Sequence, residues 1–405
     1  MKFKEYLMED ALDAIIDYRG KTPQKSDTGI PTLSAKSVKN NHINYAECYY
    51  ISEAEYKRFM VRGFPQKGDI LLTTEAPMGM VAKLDRDDVA IAQRLLTLRG
   101  KEGVLDNDYL LYLLQSPYGQ GLLKERETGT TVTGIKQAEF RRIIVKLPDI
   151  TIQKKIGSIL SAIDHKIACN TKINDNLQQQ LATIYKSWYQ DYSRVADKEF
   201  VETEHGLIPE GWHYSLLGYL CQSISITHKF DKEELIFLNT GDVEDGRFLH
   251  SDYMAIKEMP GQAKKTIAPG DILYSEIRPI NRHFAFVNFP SSDYVVSTKL
   301  MVIRARSFDS IRLYHYLTSD NVLAELQLQA ESRSGTFPQI RFDNVSRLPI
   351  LIADEQTEND FVDLLHTVYA QIEHINTENE RLADLRDNLL PKLMSGEIDV
   401  SAIQI

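Results

Sequence analysis

The chain states one pattern twice, about two hundred residues apart. The segments 31–38, Gly68-Asp-Ile-Leu71 and 93–99 return as 236–243, Gly270-Asp-Ile-Leu273 and 298–304, at offsets of 205, 202 and 205. Each copy closes on Leu-Pro (Leu147-Pro148, Leu348-Pro349) and runs into a long helical pattern. Solenoid repeats need only about 20–50 residues per unit, so this period marks a duplicated domain followed by a helix. Two similar modules on one chain suit a ligand with two parts.

At 405 residues the chain exceeds one ordinary core, and two to three domains are expected. An apolar content of 43% with 26% charged residues is that of soluble globular proteins. No stretch approaches the roughly 18 apolar residues of a membrane span. The N-terminal segment carries acidic residues where a secretory signal needs an apolar run. Cys48, Cys169 and Cys221 are scattered, which fits neither a disulfide framework nor a zinc site. A cytoplasmic location is expected. The net charge of −10 is uneven: +1 over 1–150, +2 over 151–200, −4 over 201–350 and −9 over 351–405. The globular copies are thus near neutral, which permits basic patches without requiring them.

Short β-rich runs with turn punctuation fill each copy. Strands are expected at 70–74, 89–92 and 95–98, and again at 271–275, 294–297 and 300–303, with short helices at 109–114 and 313–317. Longer helices carry the clearest signal. Ile152, Ile156, Ile159, Ile163, Asn170, Ile173 and Leu177 fall largely on steps of three and four, as do Phe361, Leu365, Val368, Ile372, Ile375, Asn379 and Leu382. The two sets match at an offset of 209, polar Asn170 and Asn379 included, which is the mark of a coiled-coil seam whose polar position fixes register. The expected fold is α+β: two similar sheet-rich globular domains alternating with two long α-helices that pair as an antiparallel coiled coil, with pseudo-two-fold symmetry. The boundaries are 1–150, 151–200, 201–350 and 351–405. About 40 helical residues span roughly 60 Å, enough to hold two modules apart as a ruler.

Enzyme signatures are missing. Arg19-Gly-Lys-Thr22 contains part of a phosphate loop, but Ile15 stands where a glycine is required and Pro23 blocks the following helix. The ten histidines show no metal-ligand spacing, and no nucleophile elbow occurs. Ser116-Pro-Tyr118 lacks the amide and second proline of an adenine-methyltransferase motif. A chain without its own active site, metal or cofactor is expected.

What remains are polar loops at matching places in both copies. The first copy offers Arg19, Lys21, Thr22, Lys36, Thr73, Thr74, Gln93, Arg94, Thr130, Thr131, Lys136 and Gln137. The second offers Thr227, His228, Lys229, Asn239, Thr240, Arg278, Asn281, Arg282, Thr298, Lys299, Ser334, Thr336 and Arg341. Arg, Lys, Asn and Gln can meet base edges in pairs of hydrogen bonds, while Ser, Thr and cations bind phosphates. These are the expected DNA contacts. A coiled-coil scaffold that recognises protein, or a methyltransferase or nuclease with an unrecognised site, is the alternative.

Residues 129–140, Val145-Lys-Leu-Pro148, Gln153-Lys-Lys-Ile156 and Leu160-Ser-Ala-Ile-Asp164 resemble the first half of a Type I restriction-modification specificity subunit. Gly206-Leu-Ile-Pro-Glu-Gly-Trp212 resembles the start of its second recognition domain, and residues 385–398 its ending. The resemblance spans the whole chain. It implies two target-recognition domains, each reading half of a split site on double-stranded DNA, and helices that set the spacer. It also implies two modification (methyltransferase) subunits that bring S-adenosylmethionine, and restriction (motor-nuclease) subunits.

Overall fold

The computed structural model describes residues 1–129, 133–333 and 337–403. The chain divides into two compact units, one made of residues 1–173 and 375–405, the other of 174–374. Each is described by itself.

In the first unit, strand Lys4–Leu7 pairs antiparallel with Ile144–Leu147. A four-stranded antiparallel sheet runs in the order Leu12–Asp17, Leu95–Gly100, Ile70–Thr73, Val81–Lys83. A three-stranded sheet places Ile30–Leu33 between Tyr49–Ile51 and Ala90–Ile91, antiparallel to the former and parallel to the latter. The second unit repeats the plan. His213–Leu216 pairs with Pro349–Ile352, and Cys221–Ile224, Leu300–Ala305, Asp271–Ser275 and Phe284–Phe286 form the four-stranded sheet. Its other sheet gains a fourth strand, Ala263–Thr266.

The repeated Gly-Asp-Ile-Leu has a structural reason. Gly68 and Gly270 take φ of +95° and +89°, a conformation that costs glycine nothing. The next residue, Asp69 or Asp271, is buried and accepts the backbone N–H of Gln66 (2.8 Å) or Ala268 (2.7 Å). The same carboxylate takes both arms of an arginine from the neighbouring strand: Arg99 at 2.8 Å, Arg304 at 2.6 and 2.8 Å. The two-pronged ion pair locks the register of the central strands in both units. Arg99 and Arg304 stood inside the repeated segments, yet their pairing with the aspartates escaped the sequence reading.

The long helices occupy Ile150–Tyr189 and Glu355–Ser395. Asp149 caps the first by accepting the Thr151 N–H at 3.0 Å, and Asp354 caps the second through Thr357 at 3.1 Å. Burial pushes the Asp354 carboxyl up, but the Thr357 N–H, Lys198, Trp212 and the Thr357 hydroxyl outweigh it and hold the group below the usual carboxylate range. Within the first unit the helices run antiparallel. Ile156 and Leu160 are buried with Leu390, Leu393 and Met394, each side chain contributing about 2 kcal/mol. The Asn170 amide donates to Asn379 at 2.9 Å and to Glu378 at 2.7 Å, and Arg386 meets Asp164 at 2.8 Å. The matched asparagines thus meet each other. Within the second unit Leu181, Tyr189, Phe361 and Leu365 share a core with Trp212. Fully buried Arg312 lies there among the rings of Tyr185, Tyr189 and Phe361 and bonds Glu358 at 2.8 Å.

One seam position is corrected. Ile173 is 44% exposed, while Asn174, one residue on, is buried. After Asn170 the buried stripe takes a step of four where a step of three was expected. Leu177 is half-buried, as are Ile152 and Ile159, which pack against the first unit's core.

Among the described residues, no helix is long and apolar enough to cross a membrane.

Candidate nucleic-acid interface

In each unit three loops are tied at one place by the same two backbone bonds. In the first, the Thr74 N–H donates to the Arg94 carbonyl at 3.0 Å, and the Thr74 carbonyl accepts the Ile135 N–H at 3.0 Å. In the second, Glu276 does both, with Lys299 at 3.0 Å and Ile340 at 2.9 Å. The cause is the sheet. Strands Ile70–Thr73 and Leu95–Gly100, like Asp271–Ser275 and Leu300–Ala305, lie side by side, so the loops leaving their paired ends must meet. Arg19 adds a fourth segment in the first unit, its guanidinium holding the Ile135 carbonyl at 2.9 Å.

The first unit leaves several polar groups outward. Lys21, Thr22, Arg94 and Lys136 are exposed, and Gln93 donates to the Thr22 hydroxyl. Arg94 sits at φ +67° with its guanidinium 3.5 Å from Glu75, a pair open enough to water to hold little energy. Lys136 precedes helix Gln137–Arg141, and the Gln137 amide reaches the Ile15 carbonyl at 3.4 Å. Lys36 is exposed on the turn after strand Ile30–Leu33. Two expected contacts are corrected. Thr73 is buried, its hydroxyl donating to the Pro77 carbonyl at 2.7 Å and accepting the Met80 N–H at 2.9 Å. Thr74 is buried too, and its hydroxyl has no partner among the described residues. Both belong to the frame. Thr130 and Thr131 lie outside the described residues.

The second unit follows the same division. Thr227, Lys229, Arg278, Asn281, Lys299 and Arg341 are exposed, and Thr240 is half-buried. The Lys299 ammonium stands 3.9 Å from Glu276. The Arg341 N–H donates to Asn344 at 3.0 Å, leaving its side chain on the rim. Under the turn, half-buried Lys265 donates to the Thr298 and Leu300 carbonyls at 3.0 and 2.8 Å. Burial lowers its pKa. Lys265 is a brace the sequence reading missed, because nothing local marks a lysine as turned inward. Three more of the expected contacts are half-buried and also have partners within the unit. The Asn239 side chain accepts the Thr240 N–H at 2.9 Å as a turn cap. His228 accepts the Phe230 N–H at 2.9 Å and sets its ring edge against Phe230. Arg282 is held by Asp245 at 2.8 Å and Asp320 at 2.9 Å and lies over the Phe284 ring. Ser334 and Thr336 lie outside the described residues.

Arg62 was not anticipated. It is exposed, and its guanidinium spans the Asp17 and Arg19 carbonyls at 2.9 and 3.3 Å. The tetrapeptide at 19–22 makes a tight turn, with Gly20 at φ +80° and the Lys21 N–H on the Tyr18 carbonyl at 3.2 Å. Ser116 is a helix cap: its hydroxyl accepts the Gly119 N–H at 3.1 Å, and Pro117 begins the helix. Among the described residues, no group of three His, Cys, Asp or Glu side chains is placed to hold a metal ion.

Two like domains, each with polar and cationic loops fixed on the strand ends of its own sheet, define a protein of two binding modules. The family described as Type I restriction modification DNA specificity domain matches residues 14–179 and 209–383, so the chain belongs to that family and carries the domain twice. It is 41% identical over 182 residues to the Type I restriction enzyme HindI specificity subunit of Haemophilus influenzae, a match covering 44% of this chain but only 39% of that protein. It is 24% identical over 385 residues to the MjaIX specificity subunit of Methanocaldococcus jannaschii, covering 92% and 88% of the two chains. The fold is that of the Type-I restriction-modification S subunit from M. genitalium, with a TM-score of 0.59 at 14% identity over 97% and 96% of the chains.

Proposed function

We propose that this chain is the non-catalytic reader of a restriction-modification complex, each domain recognising one half of a split site on double-stranded DNA. The long helices set the spacer, and their outer faces dock two modification subunits. Those subunits bind S-adenosylmethionine and flip the target adenine, a step that costs a few kcal/mol per unpaired base. Restriction subunits complete the assembly, which acts in the cytoplasm.

One observation carries the reading. The same two hydrogen bonds tie down the loops in both units, yet the residues they carry outward differ: Arg94 and Lys136 in one, Lys299 and Arg341 in the other. A common frame with unlike side chains is what reading two different half-sites requires. Phosphate contacts position such a module and base contacts give it sequence preference.

The test is a salt titration of DNA binding by the full chain assembled with its modification subunits. Arg94→Ala and Lys136→Ala should each weaken binding and reduce the slope of log K against log salt by about one per lost phosphate contact. Unchanged affinity and slope in both variants would remove these loops from the interface. Retention of a protein partner with no DNA bound would favour a scaffold.

A further inference from the structure

The second unit carries an apolar group among its exposed polar loops. The turn after strand Asp271–Ser275 runs from residue 276 to 282, closed by the Ser275 N–H on the His283 carbonyl at 2.9 Å. Its counterpart, residues 74–79, is closed by Thr73 and Met80 at 2.9 Å and is one residue shorter. By the offset of 202, Ile280 stands where the first unit has Met78. The two differ in placement: Met78 packs against its unit's core, while Ile280 is 55% exposed.

Exposed isoleucines are ordinary; the support beneath this one is not. Arg278 and Arg282 take φ of +44° and +58°, each at a cost of about 1–3 kcal/mol that the surroundings must offset. Between them Pro279 is buried, and the Asn281 and Arg282 N–H groups close onto Arg278 and Pro279 at 2.9 Å. The Ile280 N–H is held by Gln327 at 3.3 Å, and Arg282 is clamped by two aspartates. The Arg278 N–H joins the turn to the Pro338 carbonyl at 3.2 Å, beside the loop that ends in Arg341. A rigid turn thus presents one branched apolar side chain flanked by exposed Arg278 and Asn281.

The thymine C5 methyl is the apolar feature of the base edges in the major groove. We propose that Ile280 reads a thymine methyl in the half-site of the second domain, while Arg278 and Asn281 make the polar contacts beside it. This rests on the DNA-reading function proposed above.

Genomic fragments amplified with dTTP or with dUTP give pools that differ only in that methyl. The full chain, assembled with its modification subunits, should bind the thymine pool about fourfold more tightly for each methyl buried. Ile280→Ala should lose that part of the preference, and Ile280→Leu should keep it, with both variants folded because the side chain is exposed. Equal binding of the two pools by the native chain, or the native preference surviving in Ile280→Ala, would overturn the assignment while leaving DNA recognition standing. Failure of the native chain to bind either pool would overturn both.

Discussion

Asp271 opens a strand and Lys299 lies on the turn before the neighbouring strand, and the two have opposite work. Asp271 is fully buried and takes both arms of Arg304, so removing it leaves a partly exposed guanidinium without its partner. Asp271→Ala should cost about 3 kcal/mol in thermal or denaturant unfolding, near the low end for a broken buried pair because Arg304 is partly exposed. Lys299 is exposed, its ammonium 3.9 Å from Glu276, and its removal should leave stability within about 0.5 kcal/mol. Polarity in a sequence does not separate these two kinds of residue. Thr73 and Arg282 both read as contacts for DNA, yet Thr73 spends its hydroxyl inside the protein and Arg282 commits two guanidinium nitrogens to aspartates. For Arg282 the partners are Asp245 and Asp320, 37 and 38 residues away, and only the folded chain brings them together. The exposure of Arg94, Lys136, Lys299 and Arg341 was legible because the repeat pairs them at one offset of 205, whereas Arg62 has no such partner in the pattern.

At the scale of elements, periodicity was the dependable guide. Both long helices, the antiparallel seam and the Asn170–Asn379 contact follow from the spacing of apolar residues and its one shared interruption. Ile173 was the exception, because three-residue and four-residue steps are equally allowed after a polar position and only packing chooses between them. Ile173→Glu should therefore be tolerated within about 0.5 kcal/mol, whereas Ile156→Ala, which empties a buried site, should cost about 3 kcal/mol in unfolding experiments. Helix Ser310–Leu317 carries a pH dependence of its own. Burial, with the Arg312 guanidinium near, pushes the His315 imidazole down to about 3 from 6.5. The folded state then stays neutral at His315 while the unfolded chain takes up a proton, so stability is present above about 6.5 and is lost as pH falls toward 3. Melting temperature should drop more steeply across that window in the native chain than in His315→Gln, and parallel curves would remove His315 as the cause. Helices such as Pro117–Glu125 and the hairpin pairing Phe200–Thr203 with Gly206–Pro209 were not foreseen. They are short, and Gly119 and Gly121 inside the helix read as turn residues.

For the whole molecule, duplication supplies one frame and divergence supplies two messages. The repeated parts are the Gly-Asp-Ile-Leu strand with its arginine, the capped helix starts and the backbone bonds that gather three loops. The parts that differ are the side chains those loops present. A chain in which residues 1–150 are replaced by those of a homologue keeps the frame and changes one message. The most direct measurement is methylome sequencing of strains carrying the native or the exchanged chain. The native strain should show a split methylated motif, and the exchange should alter the sequence of one half while the other half stays the same. A change in both halves, or none in either, would contradict the assignment of one half-site to each domain.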